Sequence, residues 1–284
     1  MFKNVNITPV SVVIPCFRCA ETIECAVLSV VQQTMKPAEL ILVDDNSGDN
    51  TLTVLKHLRQ KYGSDWIEVI SLPNNGGAST ARNIGWEKCT RDYVSFLDSD
   101  DAWHPQKIEI QISWMLMHKE VVLTGHKCVM LNPGKKIPLA TDVSISSVRY
   151  ITRRRLLVSN PFVTPSFMLK RDLQYRFDPS MRYSEDFFFL LQLGLSGNTI
   201  AILDVELVYV FKEFGVSGVS GNKFRMRCGD IRNYWLLRKY GQINVLTMSA
   251  LILYSFLKYV VLLLLGPKVH EILNILLNRS LRRI

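Results

Sequence analysis

The stretch YVSFLDSDD, residues 93–101, decides how this 284-residue chain is interpreted. Its first five residues are typical of a short buried strand, and the strand runs directly into Asp98, Asp100 and Asp101. Two carboxylates about 5 Å apart repel each other by about 3 kcal/mol at an effective dielectric constant of about 20. We therefore expect a cation beside them, and an Asp-x-Asp arrangement suits Mg²⁺ or Mn²⁺, which bind one or two protein carboxylates together with substrate phosphates. A solvated acidic turn is the other interpretation of this stretch alone.

The composition is that of a folded protein, with 48% hydrophobic and 21% charged residues. The formal net charge of +9 is concentrated in residues 149–155 and after residue 223, which favours an anionic partner for the second half only. No nucleic-acid-binding motif accompanies these basic clusters, so we expect a membrane surface and no nucleic acid. Six scattered cysteines without a preceding secretory signal indicate a reducing cytosol.

Apolar and polar segments alternate over the first hundred residues. Strands are predicted at residues 10–15, 40–43, 66–71 and 93–97, with helices at 21–33, 50–62 and 78–88 between them. This alternation predicts an α/β fold with buried parallel strands. Ligands of such sheets lie beyond the carboxyl ends of the strands, where we expect residues 15–17, 44–47 and 98–101 to converge.

The pattern becomes mixed after residue 103. We predict a helix at 106–119, a strand at 121–124 and a further apolar helix that ends near residue 195. Ser184 is the predicted N-cap of that helix, with Glu185 and Asp186 in its first turn. Helix capping alone would explain these two acids.

Five motifs, in this order and spacing, resemble the family 2 glycosyltransferases with the GT-A fold. They are Val12-Val13-Ile14-Pro15, Val43-Asp44-Asp45-Asn46-Ser47, Asn75-x-Gly77 with Ala81-Arg82-Asn83-x-Gly85, Asp98-Ser99-Asp100-Asp101 and Glu185-Asp186. The resemblance implies a Rossmann-like, mostly parallel central sheet flanked by helices. We expect a catalytic domain at residues 1–221, followed by a helical, membrane-associating region at residues 222–284.

The activity implied by the resemblance is an inverting transfer from a nucleotide diphosphosugar, UDP- or dTDP-linked, to a hydroxyl of a glycan or lipid-linked acceptor. Bacterial surface polysaccharide assembly is the expected setting. The Gln-x-x-Arg-Trp motif of processive members is absent, which favours a single transfer per binding event.

The resemblance also implies roles for residues that bind the donor. Pro15 and Phe17 resemble the wall against which the base lies, Asp45 the acid that accepts the imide N–H of uracil or thymine, and Arg82 a residue near the phosphates. The full implied set is Pro15, Phe17, Asp44, Asp45, Asn75, Gly77, Arg82, Asp98 and Ser99. One departure is Phe17-Arg18, where the family often has Tyr-Asn.

Catalytic roles follow from the same resemblance. Asp100 is implied as the direct ligand of Mn²⁺ or Mg²⁺, and Asp98 as a ligand of the ribose or of a metal-bound water. Asp186 is implied as the general base that takes the proton of the acceptor hydroxyl. Glu185 is implied to bind the acceptor or to support the start of the helix.

The C-terminal region contains an apolar segment, residues 248–266, of about 28 Å as a helix. A central lysine, Lys258, and a stripe that includes Tyr254 and Ser255 favour a helix that lies in the membrane interface or against the catalytic domain over a clean span. We expect Pro267 to end this helix and the basic segment 269–283 to favour anionic lipid. The expected location is the cytoplasmic face of the inner membrane; ordinary packing helices of a soluble domain are the alternative.

Two other functions were considered from the sequence. A sugar nucleotidyltransferase would have a Gly-rich basic loop after the first strand, but residues 15–20 contain no glycine. A non-catalytic nucleotide-sugar-binding protein would have no reason to retain Asp45, Asp98, Asp100 and Asp186.

Overall fold

The computed structural model describes residues 7–131, 142–211 and 222–280, with side chains described as far as residue 264. The chain forms two compact units. The first contains the described residues of Met1–Tyr150, Phe162–Ser180 and Asn198–Glu213. The second contains those of Ile151–Pro161, Met181–Gly197 and Phe214–Ile284. The expected domain boundary between residues 221 and 222 stays a prediction, and residue 221 lies outside the described residues.

The first unit begins with the predicted alternation of strands and helices. In chain order these are β1 (Ile7–Cys16), α1 (Ile23–Val31), β2 (Lys36–Asp44), α2 (Thr51–Tyr62), β3 (Ile67–Ser71), α3 (Gly77–Lys88) and β4 (Tyr93–Phe96). The four strands are parallel and lie in the order β3-β2-β1-β4. Val12, Val13 and Ile14 of β1 are fully buried, as expected of a parallel strand that is covered on both faces.

The rest of the first unit extends this sheet. Its elements are β5 (Asp101–Trp103), α4 (Lys107–Met117), β6 (Val121–Met130), β7 (Val148–Tyr150), a 3-10 helix (Thr164–Ser166), β8 (Met168–Lys170) and β9 (Thr199–Val210). The sheet continues from β4 through β8, β6 and β9 to β5, and β7 also pairs with β9. Pairings of β4 with β8, β8 with β6, and β9 with β5 and β7 are antiparallel, whereas β6 and β9 are parallel. The expected α/β class with a central sheet is confirmed, and the sheet is mixed beyond β4.

The strand register brings the predicted site segments to one edge. Cys16 of β1 is paired with Asp44 of β2, and Val13 is paired with Phe96 of β4. Helix α3 packs closely over these strands, since a Cβ atom added at Gly85 would lie 2.4 Å from Val13 Cγ1. Only glycine allows this approach, which places the N-terminal turn of α3 beside the strand ends.

The second unit is helical in its described part. It contains α5 (Arg153–Val158), α6 (Glu185–Leu195), α7 (Lys223–Lys239) and α8 (Val245–Ser280). The prediction that Pro267 ends the last helix is wrong, because α8 continues to Ser280. Proline removes one backbone hydrogen bond, and the leucine-rich sequence on both sides favours the helix. The side chains of the predicted basic segment 269–283 lie outside the described residues.

The predicted N-cap position of α6 is confirmed, but its capping hydrogen bond is not formed. Ser184 occupies the N-cap position, but its side chain makes no capping hydrogen bond. Its backbone is left-handed, with φ 57°, and its hydroxyl lies 3.0 Å from Asp230 Oδ1. The long-range contact replaces the local one that the sequence suggested.

Candidate donor-binding site

The loop after β1 is fixed to the loop after β2. The backbone N–H of Arg18 donates to Ser47 Oγ at 3.0 Å, and the Ser47 hydroxyl donates to Asp44 Oδ1 at 2.5 Å. Asp44 is 3% exposed, so its carboxylate is committed to holding this loop. Phe17, in contrast, is 46% exposed and offers a flat ring at the strand edge.

Asp45 is joined to the N-terminus of α3. Its Oδ1 accepts from the backbone N–H of Gly76 and its Oδ2 from that of Gly77, both at 2.7 Å. Gly77 has a φ of 82°, which favours glycine, and Asn75 Nδ2 donates to the Asp45 carbonyl at 3.0 Å. The carboxylate therefore lies at the positive end of the helix dipole, and each of its oxygens retains capacity for a further donor.

Arg82 links α3 to the acidic tetrad, Asp98-Ser99-Asp100-Asp101. It is 5% exposed, and one of its guanidinium nitrogens lies 2.8 Å from Asp98 Oδ1. The guanidinium also lies over the Phe177 ring, 5.4 Å from its centroid. A cation does accompany the acids, as their mutual repulsion required, and for Asp98 that cation is an arginine of the chain itself.

Ser99 completes the link to the first strand. A hydrogen bond with Cys16 lowers the pKa of Cys19, and a hydrogen bond between Cys19 and Ser99 lowers it further, against the effect of burial. The loop after β1 therefore contacts the loop after β4. The last residue of the tetrad, Asp101, is buried and starts β5, where it pairs with Val210.

The acid pair of α6 belongs to the second unit. Asp186 Oδ2 accepts from Asn160 Nδ2 at 3.0 Å, and Asp186 Oδ1 accepts from the backbone N–H of Phe187 at 2.8 Å. Asn160 follows α5 and was not identified from the sequence. The only local signal is Asn160-Pro161, a turn-forming pair.

Comparison with known proteins decides the family. Residues 11–174, more than half of the chain, match the family model described as glycosyl transferase family 2. The chain belongs to glycosyl transferase family 2. This family 2 member is a glycosyltransferase, and the rival nucleotidyltransferase and binding-protein interpretations are not supported.

Two relatives resemble this family 2 glycosyltransferase over most of their length. An uncharacterized glycosyltransferase of Haemophilus influenzae is 29% identical over 256 residues, which are 89% of this chain and 99% of the relative. The UDP-Glc:alpha-D-GlcNAc-diphosphoundecaprenol beta-1,3-glucosyltransferase WfgD of Escherichia coli is 27% identical over 230 residues, which are 80% of this chain and 83% of the relative.

Solved structures confirm the expected GT-A fold. TarS of S. aureus in complex with UDP superposes with a TM-score of 0.60 at 20% identity, over 79% of this chain and 65% of the solved chain. The mannosyltransferase PcManGT of Pyrobaculum calidifontis, in complex with GDP-Man and Mn²⁺, gives a TM-score of 0.60 at 15% identity, over 99% of this chain and 84% of its own.

Direct contacts connect many of the predicted donor-binding residues in this glycosyltransferase. Asp45 contacts Asn75 and Gly77, and Arg82 contacts Asp98. Asp44 contacts Ser47 in the loop after β2, and Ser99 contacts Cys19 in the loop after β1. Pro15 and Phe17 lie at the end of β1, and Asp100 follows Ser99 in the same loop. Glu185 and Asp186 lie in the second unit. The individual roles of all these residues stay predictions.

Proposed function

We propose that the protein transfers one sugar per binding event, with inversion, from a UDP- or dTDP-linked donor to a hydroxyl of a glycan or lipid-linked acceptor in bacterial surface polysaccharide assembly. The observation that carries this proposal is the Asp45 carboxylate, held at the start of α3 next to the turn that bears Arg82. The activity that the WfgD name describes, with UDP-Glc and a diphosphoundecaprenol-linked acceptor, supports the same chemistry.

Asp45 is proposed to select the base. Its buried oxygens already accept two backbone N–H groups, and the imide N–H of uracil or thymine is a further donor of the same kind. Guanine and cytosine would offer a different pattern of donors to this acid. A nucleotide whose base lacks the matching donor leaves the buried carboxylate unpaired. Such a nucleotide binds much more weakly, because the carboxylate has lost its solvent and gains no partner.

Asp98 and Asp100 are the residues proposed to hold Mn²⁺ or Mg²⁺. Their carboxylate oxygens are the hard ligands that both ions prefer. Among the described residues, no group of three or more His, Cys, Asp or Glu side chains is arranged for a metal ion. Mg²⁺ is usually bound by one or two carboxylates together with substrate phosphates. When bound, the ion would act as a Lewis acid on the leaving diphosphate.

Asp186 is proposed as the general base. As the acceptor hydroxyl attacks the anomeric carbon, its proton must pass to a group within hydrogen-bond reach, and a carboxylate is suited to this task. Asn160 donates to Asp186 Oδ2 at 3.0 Å and so fixes the orientation of the carboxylate. A single displacement with one base inverts the configuration of the sugar. Glu185 is proposed to contact the acceptor.

Ligand-dependent thermal unfolding tests the donor assignment. UDP, dTDP, GDP and CDP, and then UDP- and dTDP-sugars, are added in the presence and absence of Mn²⁺. A ligand at about 100 times its dissociation constant stabilises the folded state by about 2.7 kcal/mol. We expect UDP or dTDP compounds to raise the melting temperature. A larger shift with GDP or CDP would contradict the role of Asp45.

The proposed site of action is the cytoplasmic face of the inner membrane, where α8 would lie in the lipid interface. Val245–Leu264 is long and apolar enough to cross a membrane by length and composition. One side of α8 packs on α7, with Leu251 and Ser255 buried and the Tyr259 ring 6.3 Å from that of Phe224. Among the described side chains of α8, seven large apolar ones are more than half exposed: Val245, Leu246, Leu253, Phe256, Leu257, Leu263 and Leu264.

The charge of α7 argues for the surface of an anionic bilayer. This helix carries six cationic residues, Lys223, Arg225, Arg227, Arg232, Arg238 and Lys239. A helix with these charges cannot enter the hydrocarbon core alongside α8, but it can contact anionic headgroups while the leucines of α8 enter the interface.

Vesicle sedimentation tests this attachment. We expect binding to vesicles of phosphatidylglycerol and phosphatidylethanolamine, weaker binding to phosphatidylcholine, and loss of binding in Leu253→Glu/Leu257→Glu. The matched control is Leu116→Glu/Met117→Glu, which changes two exposed apolar residues of α4 in the first unit. Equal binding of all proteins to both kinds of vesicle would contradict the proposal.

A further inference from the structure

The backbone turns a corner at Tyr183 and Ser184, just before the acid pair Glu185 and Asp186. One face of α7 holds this corner in place. A Cβ atom added at Gly229 would lie 2.8 Å from the Tyr183 carbonyl oxygen and 3.0 Å from Ser184 Oγ. One residue later, Asp230 Oδ1 accepts from the Ser184 hydroxyl at 3.0 Å. One turn later, Asn233 Nδ2 donates to the Ser184 carbonyl at 3.1 Å. Three side-chain positions of α7 therefore converge on two residues of the corner.

Ser184 has a backbone conformation that needs such support. Its φ of 57° lies in the left-handed region, where the Cβ atom of a serine is crowded. Such conformations persist when the surrounding structure fixes them from several sides. The contacts of Asp230 with the hydroxyl and of Asn233 with the carbonyl supply this constraint. The direction of the backbone at Glu185 and Asp186 depends on this conformation of Ser184.

Asp230 is itself surrounded by charges. Arg227, one turn earlier on α7, has a guanidinium nitrogen 2.8 Å from Asp230 Oδ2. Burial raises the pKa of Asp230, while Arg227, the Ser184 hydroxyl and Lys258 of α8 each lower it. The negative charge of Asp186 raises the pKa of Asp230 further.

We infer that Asp230 is the positioning residue of the acid pair. It holds Ser184 in the left-handed conformation and thereby fixes the place of the Asp186 carboxylate, while Arg227 balances its charge. The inference rests on the proposed role of Asp186 as the base. A displacement of about 1 Å at a reacting group reduces rates by about 100-fold, so loss of this support should appear in kcat.

Four variants test the inference by donor binding and steady-state kinetics. Asp230→Ala removes the nearer acceptor of the Ser184 hydroxyl and leaves the Met226 carbonyl at 3.3 Å, whereas Asp230→Asn retains an acceptor at residue 230 and loses the charge. Ser184→Gly removes the hydroxyl but tolerates the left-handed backbone. Asp204→Ala is the control, because this carboxylate also forms an ion pair, with Lys127, but lies in the first unit. Circular dichroism and thermal unfolding establish that each variant is folded.

We expect Asp230→Ala to lower kcat by about 10- to 100-fold with little change in donor affinity or donor KM. Asp230→Asn should recover part of the loss, and Asp204→Ala should leave kcat unchanged. Residues that act as a unit are not additive, so Asp186→Asn/Asp230→Ala should be no slower than Asp186→Asn alone.

The double variant separates the two proposals. If Asp186→Asn retains full kcat, the base assignment fails whatever the result at Asp230. Suppose that Asp186→Asn loses activity as expected. If adding Asp230→Ala to that variant lowers kcat by the same factor as Asp230→Ala does alone, Asp230 acts independently and the positioning role is overturned. The positioning role is also overturned if Asp230→Ala, folded by both measurements, keeps the kcat of the unsubstituted protein.

Discussion

A guanidinium nitrogen of Arg82, on α3, lies 2.8 Å from Asp98 Oδ1 at the end of β4. The arginine is 6% exposed at its side chain and the aspartate 30%, so little solvent screens the pair. We expect Arg82→Ala to lower the free energy of unfolding by about 3 kcal/mol, because it leaves a carboxylate partly desolvated without its partner. Urea unfolding measures this change.

The control for this pair is the ion pair between Lys61 and Glu24, which has nearly the same length, 2.7 Å, but side-chain exposures of 44% and 57%. Lys61→Ala should cost less than about 1 kcal/mol. Equal losses in the two variants would show that the burial of Arg82 has no energetic consequence. Arg82→Ala should also weaken UDP binding, whereas Lys61→Ala should not.

Gly77→Ala tests the contact between Asp45 and α3. The φ of 82° makes any side chain unfavourable by about 1–2 kcal/mol, although the space around an added Cβ atom is open. Gly197 has a φ of 84° and equally open surroundings, so Gly197→Ala should destabilise the protein by a similar amount. Of these two variants, only Gly77→Ala should weaken UDP binding in calorimetry, because the N–H of Gly77 is bonded to Asp45 and that of Gly197 is not. A parallel loss of UDP affinity in both variants would remove this role of Gly77.

Asp100→Ala tests the metal assignment. We expect the variant to bind free UDP in the absence of metal as the unsubstituted protein does, but to lose the additional thermal stabilisation that Mn²⁺ gives with a nucleotide sugar. Transfer activity should fall to background. Undiminished Mn²⁺-dependent activity would show that Asp100 is not a ligand.

Asp186→Asn tests the proposed base. General base catalysis contributes about 10²- to 10⁴-fold, so kcat should fall within that range while donor affinity stays nearly unchanged. Asn160→Ala should lower kcat less, because the base remains and only its orientation is lost. Parallel losses of donor affinity and kcat in Asp186→Asn would indicate a role in binding.

The pH dependence of stability should reveal Lys107. This residue is fully buried, with its Nζ 2.8 Å from Ser95 Oγ and 3.8 Å from the centroid of the Trp103 ring. Burial lowers the pKa of Lys107 well below 10.5. Between the lowered value and 10.5 the unfolded chain binds more protons than the folded one, so the contribution of this residue to stability rises with pH, by up to about 1.4 kcal/mol per pH unit.

Lys107→Met should flatten this dependence, since it removes the buried amine. Thermal unfolding at several pH values below 10 measures the slope. The exposed counterpart Lys61 serves as control, because Lys61→Met should leave the slope unchanged. An identical slope in the Lys107→Met variant and the unsubstituted protein would mean that the lysine keeps its ordinary pKa in the fold.

Local patterns were enough to predict the parallel part of the fold. The apolar runs around Val12, Leu40 and Val94 are strands because each is short, β-branched and followed by loop or acidic residues. Parallel strands end at one edge, so the pairing of Cys16 with Asp44 at that edge followed from order alone.

Long-range contacts were not predictable in the same way. Ser184 was predicted to cap the helix because serine is a preferred N-cap residue. Its hydroxyl instead donates to Asp230, 46 residues away. Asn160 contacts Asp186 across 26 residues, and no periodicity signals it. Lys107 lies on the buried side of α4 with Ile108 and Gln111, where an apolar residue is the ordinary expectation.

Gly85 connects the packing of the core to the position of Arg82. The backbone of α3 lies as close to Val13 as atomic radii permit, and Arg82 stands one turn earlier on the same helix. An enlarged side chain at residue 13 or 85 would lift the helix from the sheet and withdraw the guanidinium from Asp98. Selection on substitutions in this layer would therefore act on two properties at once, the stability of the core and the position of the Arg82 guanidinium beside Asp98.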